Sequence, residues 1–404
     1  SERYGEKLAT PDVSVADLIG DIDPIKAANL KLSFSDEKVI HYGIIPRSNR
    51  CIFVINELPD LQARIQVSLF NILQEGDIQI RGFKLRMPLD ILFVFTANPE
   101  DYTNRGSIVT PLKDRIESQI LTHYPKTLET SLAITEQEAD ILEVQKQRVD
   151  ISDLIKRLIE QVSFEARSNE FVDKKSGVSA RLTIAAFENA ISSAERRAII
   201  HNEKHTYVWI SDLMGIIPSI TGKIELVYEG EQEGPYEVAL NLLNKSIRTQ
   251  FIEYFPNPEL LKKKKMVNKK GEEKALDNPY KSITSWFDGG NHLNLLLDMK
   301  DADKVVALYK VDGLFGLVKK YYPQANEKES ALLMEFVLHG LAAFSLINKK
   351  MIDRHPHVFN KTQQDIKTAD DVATQWEQIK EQAQPQNMSK VNSLLKKETD
   401  LMEV

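Results

Sequence analysis

The chain has 404 residues, 42% of them apolar and 27% charged, an ordinary globular composition with length for two or three domains. A net charge of −7 argues against a nucleic-acid protein, and the single cysteine, Cys51, excludes an internal disulfide framework or a cysteine-rich zinc site and suits a reducing cytosol. No apolar run reaches about 18 residues, so neither a membrane span nor a leader is expected.

In chain order, Thr10-Pro11-Asp12 is a helix-start signal, and the short apolar helix after it stops at Gly20. His41–Arg50 reads as a loop, with His41 a loop histidine, leading into a strand over Cys51–Ile55 with Cys51 as a small core residue. Pro59-Asp60 opens a helix whose apolar face repeats at Leu61, Ile65, Leu69, Ile72 and Leu73, and Gly76 ends it. Ile78 and Ile80 alternate with polar residues, Arg81-Gly82 turns, and Phe83 and Leu85 resume the alternation, which predicts a β-hairpin. Its tip reads either as a loop facing a pore or as a solvated turn. Ile91–Phe95 is a second continuous apolar strand, of the kind found in parallel sheets covered on both faces. A loop with Arg115 precedes a further strand near Gln119–Tyr124. From Leu128 to about Ile220 the periodicity is helical, with Arg181 at one helix start and Ser211-Asp212 able to cap a last short helix. The acidic, Gly-containing Tyr228–Pro235 marks a boundary, and residues 236–404 carry helical patterns and no run of strands. Within them, Lys262–Lys265 with Lys269 and Lys270 reads as a solvated loop, because no aromatics are interleaved for base stacking. The last forty residues are polar.

The chemistry gathers at the strand ends. The run CIFVI delivers Asn56-Glu57 to the end of a sheet, where nucleotide hydrolases place Asp-Glu to hold Mg²⁺ and activate water. The second strand ends in Thr96-Ala97-Asn98, a loop then presents Arg115, and Arg181 follows in the helical region. A cation at a helix N-terminus opposes the dipole and invites a reason.

In this order and spacing, residues 8–222 resemble an AAA+ ATPase of the magnesium-chelatase I-subunit and MoxR group. CIFVINELPDL resembles the Walker B strand, GDIQIRGFKLRMPLD the pre-sensor-1 hairpin, LFVFTANPED sensor 1, TPLKDRI the arginine-finger segment and SGVSARLTIAAF sensor 2, while the segment from Ala9 to Arg50 resembles the helix-2 insert and the approach to Walker B. The resemblance implies an α/β fold followed by an all-α region: an incomplete AAA+ parallel-sheet core with its β-hairpin over 1–127, a helical lid over 128–222, a linker over 223–235 and a helical C-terminal domain over 236–404.

It further implies a bacterial, cytoplasmic ATPase that uses ATP and Mg²⁺ to remodel or assemble a partner, works as a ring, most simply a hexamer, and engages a von Willebrand A-domain protein. In that reading Glu57 polarises the attacking water, Asn98 contacts the γ-phosphate or the water, and Arg115 reaches a neighbouring subunit's nucleotide as an arginine finger. Arg181 approaches the phosphates from the lid, and Asn56 orients a Mg²⁺-bound water without supplying charge. Arg105 is another interface candidate.

The pattern departs from the family in one large respect: the chain carries no G-x-x-x-x-G-K-[ST], the loop whose amides and Lys cradle phosphates. The two expectations are an N-terminally incomplete copy of an ATPase, or a scaffold that keeps the ring interface without hydrolysis. A transcriptional activator with an ATPase domain ranks below both, since no GAFTGA loop and no basic recognition helix occur.

Overall fold

The computed structural model describes residues 3–34, 36–80, 86–98, 107–263, 278–347 and 352–353. In chain order it builds β1 (Tyr4–Leu8), α1 (Val15–Leu18), β2 (Gly20–Ile22), α2 (Pro24–Leu30), β3 (Ile40–Tyr42), α3 (Ile44–Arg47), β4 (Ile52–Asn56), α4 (Ala63–Ser68), α5 (Phe70–Glu75), β5 (Asp77–Gln79), β6 (Arg86–Pro88), β7 (Leu92–Phe95) and α6 (Thr110–Lys113). Helices follow: α7 (Leu128–Glu138), α8 (Glu143–Arg148), α9 (Asp153–Ser168), α10 (Arg181–Ile200), α11 (Ile217–Thr221), α12 (Tyr228–Glu233), α13 (Pro235–Tyr254), α14 (Pro258–Lys263), α15 (Lys281–Asp288), α16 (Asp301–Tyr309), α17 (Leu314–Tyr321) and α18 (Glu327–Ala343). By contacts the chain divides into two units, the first holding residues 1–143, 151–192 and 214–250, the second 144–150, 193–213 and 251–404. Among the described residues no helix is long and apolar enough to cross a membrane.

The first unit is organised by a three-stranded parallel sheet in the order β1-β4-β7. Register places Gly5, Phe53 and Phe93 side by side, then Lys7, Ile55 and Phe95. Phe53 and Ile55 are fully buried and belong to a core with Leu58, Ile65, Ile72 and Leu112; each such side chain contributes about 2 kcal/mol by leaving water. Phe53 meets Phe93 edge-on at 6.0 Å. That packing explains a glycine inside β1: a Cβ on Gly5 would lie 2.8 Å from the Phe53 ring and 2.8 Å from Ser48 Oγ.

The other sheet face differs from the two-sided burial expected of continuous apolar strands. Tyr4, Leu8, Ile52 and Val94 are exposed, and Leu92 is 62% exposed. Among the described residues the core lies on the opposite face, so alternate residues of the strands are exposed or, like Val54, half-exposed.

Several local expectations are corrected. The first helix starts at Ser14, not Thr10, because Ser14 and Asp17 form a reciprocal capping box, while Thr10 accepts a turn bond from the Val13 amide. The helix expected through Leu61–Leu73 is broken into α4 and α5 at Leu69, next to Ser68, whose hydroxyl donates to the Ile65 carbonyl. β5 and β6 pair antiparallel, Ile78 opposite Met87; Arg81, Gly82, Phe83 and Leu85, expected in the turn and the second strand, fall outside the described residues. No strand forms at Gln119–Tyr124, where Ile120 and Leu121 are 89% and 74% exposed; an extended segment becomes a strand only when a neighbouring edge takes its backbone groups. Cys51 is half-exposed and precedes β4, and His41 pairs with Asp21 in the small β2–β3 sheet. Within residues 223–235, expected as a linker, Tyr228–Glu233 form α12.

Helices α7 and α9 enclose a buried acid. Glu160 is 1% exposed; its Oε2 accepts a 2.5 Å bond from Ser131 Oγ, and its Oε1 has no hydrogen-bond partner among the described residues. Burial holds the Glu160 carboxyl above its ordinary range, against the bond from Ser131, the nearby Thr135 hydroxyl and the attraction of Arg167, with repulsion from Glu136 adding to the rise. Folding therefore takes up a proton here, and the stability this group contributes is full below the ordinary Glu pKa and lost as pH rises through the folded value. Glu160→Gln is expected to raise the denaturation midpoint at pH 7–8, with the gain vanishing toward pH 4; a variant less stable than wild type at pH 8 would refute this assignment.

The second unit is helical, with β8 (Leu293–Asn294) and β9 (Ile352–Asp353) a short parallel pair. Its apolar centre is the Phe251 ring, which meets Phe255, Tyr280, Phe336 and Phe344 within 6.0 Å. Gly340 of α18 lies flat against that ring, where a Cβ would come within 2.1 Å of it. The lysine-rich stretch lies outside the described residues from 264 on.

Candidate functional site

The sheet carries its polar residues at the carboxyl ends of β4 and β7, the position where open α/β sheets build sites. Strand β4 ends at Asn56, and Glu57 then turns into the left-handed region with φ 56° and ψ 48°. A non-glycine residue there costs roughly 1–3 kcal/mol and persists only where its surroundings impose it. Three bonds do so: the Glu57 amide donates to Thr96 Oγ1 at 3.1 Å, the Leu58 amide to the Thr96 carbonyl at 2.9 Å, and the Asp60 amide to the Glu57 carbonyl at 2.9 Å. The Glu57 carboxylate has no hydrogen-bond partner among the described residues.

Asn56 is engaged at both ends of its amide. Its Nδ2 donates to Glu6 Oε1 at 2.7 Å, and its Oδ1 accepts from Thr96 Oγ1 at 3.2 Å. A carboxylate thus stands beside position 56 after all, supplied by the neighbouring strand. Glu6 also accepts from the Tyr4 hydroxyl at 2.8 Å, and that bond and the nearby charge push the tyrosine upward in pKa. Among the described residues no group of three or more His, Cys, Asp or Glu could hold a metal directly.

Thr96 joins the two strand ends, and Asn98 lies two residues further on, exposed. Arg115 sits just after α6, half-buried. Its Nε and Nη2 both donate to Gln74 Oε1, at 3.0 and 2.7 Å, its Nη1 donates to the Pro111 carbonyl at 2.6 Å, and its guanidinium lies 4.9 Å from the Phe70 ring centre. The loop leading to α6 is held by a second glutamine of the same helical stretch. Gln66, 1% exposed, donates to the Leu61 and Ser107 carbonyls and accepts from the Val109 amide. Arg181 is the exposed first residue of α10, its amide bonded to Ser179 Oγ at 3.2 Å. Arg105 lies outside the described residues.

Asn56, Glu57 and Thr96 are therefore brought together, while Arg115 and Arg181 occupy other parts of the same unit. Sequence reasoning missed Glu6, Gln66 and Gln74, and gave Thr96 no role. Polar residues alternating with glycine and lysine in YGEKL, and glutamines inside an apolar helical repeat, carry no local signal of a partner forty to fifty positions away.

No protein-family model matches this chain, and no curated protein does. Among solved structures it is similar to a candidate ATPase from Cytophaga hutchinsonii, with 21% identity, 60% of this chain and 77% of that one covered, and a TM-score of 0.25. It is similar also to the complex of subunits BchI and BchD of magnesium chelatase, with 19% identity, coverage of 57% and 72%, and a TM-score of 0.27. NtrX from Brucella abortus, in complex with ADP, shares 13% identity over 65% of this chain and 57% of its own, with a TM-score of 0.37.

Proposed function

We propose that this chain is an AAA+-type ATPase of the magnesium-chelatase-like group, coupling ATP hydrolysis to the remodelling or assembly of a partner protein. The observation that carries the reading is Glu57, an acid held in a left-handed conformation at the end of the central strand by Thr96 of the next strand. Local strain of that kind persists where a side chain must be aimed. ATP with Mg²⁺ would bring the phosphoryl electrophile and its charge compensation to this strand end. Glu57 then polarises the attacking water, and Glu6 gives the Asn56 position the negative charge its amide lacks. Asn98 follows on the adjoining segment as the contact to the terminal phosphate or the water. Arg115, with its charge intact, serves a neighbouring protomer, which makes the working form a ring, most simply a hexamer. Arg181 at the start of α10 links nucleotide state to the helical part of the unit. A von Willebrand A-domain protein is the proposed partner, and the bacterial cytoplasm the proposed setting.

A second reading, a non-hydrolysing scaffold with the same ring interface, is favoured by one observation: both polar atoms of the Asn56 amide are already bonded within the protein. The two separate in one experiment on the full-length protein. Binding of a fluorescent ATP analogue, ATP turnover with Mg²⁺ and mass by light scattering are measured together. The ATPase reading expects saturable binding, Mg²⁺-dependent turnover and a nucleotide-promoted ring. Ring formation without nucleotide binding would overturn it in favour of the scaffold.

A further inference from the structure

We infer that Gln74 is a positioning residue for Arg115, orienting its guanidinium without neutralising it; this rests on the reading of Arg115 as a residue that acts on a neighbouring protomer's nucleotide. Gln74 and Phe70 stand four residues apart on α5, so their side chains share one helix face. Together they form a cradle. The Gln74 carbonyl oxygen takes the Nε and Nη2 protons, and the Phe70 ring covers the guanidinium at 4.9 Å. The Pro111 carbonyl, one helical turn before Arg115, takes a proton from Nη1. Among the described residues three of the five guanidinium N–H donors are used in this way, which leaves two for an incoming anion.

The chemical identity of position 74 is the informative part. The usual fork partner of arginine is a carboxylate, which binds the same two N–H groups and cancels the charge. An amide oxygen fixes the plane of the group and leaves the full positive charge, which is what electrostatic stabilisation of a developing phosphoryl charge requires. A purely structural role for Arg115 would be served at least as well by glutamate.

The discriminating variants are therefore Gln74→Glu and Gln74→Ala, with Arg115→Ala as the reference, each measured in the full-length protein for kcat, KM for ATP and melting temperature. Arg115→Ala is expected to lower kcat by about 10³-fold or more with KM unchanged, since the residue does not bind its own protomer's nucleotide. Gln74→Ala is expected to lower kcat by about 10²-fold through misplacement of the group, again with KM unchanged. Gln74→Glu is expected to raise the melting temperature through a new ion pair while lowering kcat, and to recover part of kcat at high salt, where the pair is screened. Loss of activity together with gain of stability is an outcome no merely structural contact produces. If Arg115→Ala loses turnover while both Gln74 variants keep it, the positioning role is overturned and the Arg115 reading stands. If Arg115→Ala keeps wild-type turnover, that reading falls and the positioning role falls with it.

Discussion

Glu57→Gln is expected to lower ATP turnover by about 10²- to 10⁴-fold, the range for loss of a positioned general base, with nucleotide affinity unchanged. The substitution is isosteric and removes only the charge and basicity of the acid. The backbone that aims the side chain is secured independently, by the bonds of the Glu57 and Leu58 amides to Thr96, so the variant should keep its fold and its left-handed turn. The carboxylate has no hydrogen-bond partner among the described residues, so no ion pair is lost that would confuse the reading. Single-turnover kinetics with radiolabelled ATP, alongside equilibrium binding, measure the two quantities separately. Wild-type turnover in Glu57→Gln would sink the assigned role. A companion variant tests the strain directly. Glu57→Gly removes the Cβ from a position with φ 56° and is expected to leave stability equal or up to about 1 kcal/mol higher, since relief of the left-handed penalty offsets the flexibility of glycine. Activity lost while stability holds would mark position 57 as strained for function.

Glu335→Ala is expected to destabilise the second unit by about 3–5 kcal/mol, the cost of removing one partner from a buried ion pair. Glu335 and Lys304 are both 0% exposed and lie 3.6 Å apart. The carboxylate also accepts the Ile210 and Ser211 amides at 2.8 and 3.3 Å. Lys304 donates to Ser211 Oγ at 2.5 Å and stands 4.9 Å from the centre of the Trp209 ring. Truncation therefore leaves two amides buried without their acceptor and takes the carboxylate from the buried ammonium. Adjacent to this pair, Arg197 bonds Asp212, Asp301 and the Tyr207 carbonyl, and Asp301 accepts from Trp209 Nε1 at 2.8 Å. The shared stretch Thr206–Asp212 couples the two groups, so the loss should be cooperative. Urea denaturation followed by Trp fluorescence reads the effect. Replacing the pair together, Lys304→Met with Glu335→Leu, is expected to recover much of the loss, because two apolar side chains remove the uncompensated charge. A single-variant loss under about 1 kcal/mol, the value of an ordinary hydrogen bond, would mean the pair is not buried in solution.

Much of the first unit is legible from particular residues. Cys51–Ile55 and Ile91–Phe95 announce parallel strands because five consecutive apolar, mostly β-branched or aromatic residues suit little else at that length, and both form within a residue of the expected ends. The polar pair Asn56-Glu57 is recognisable because it terminates such a run. Other readings failed where a second element had to answer. Gln119–Tyr124 has strand composition, yet no edge receives it among the described residues. Strands β4 and β7 look doubly covered, yet one face is in water. Ser14, not the Thr-Pro pair, caps α1, because only Ser14 has an acid three residues on to complete the box.

Linear order settles what a chain neighbour can enforce: helical and strand periodicity, the placing of Glu57 at a strand end, and the absence of a phosphate-loop motif from these 404 residues. Tertiary structure alone decided the partners. Glu6 reaches Asn56 across fifty positions, Gln74 reaches Arg115 across forty-one, and Lys304 reaches Ser211 across ninety-three. A hydrogen bond or a buried ion pair is set by distance and desolvation after the chain has packed, and neither quantity has a period that a linear pattern can carry.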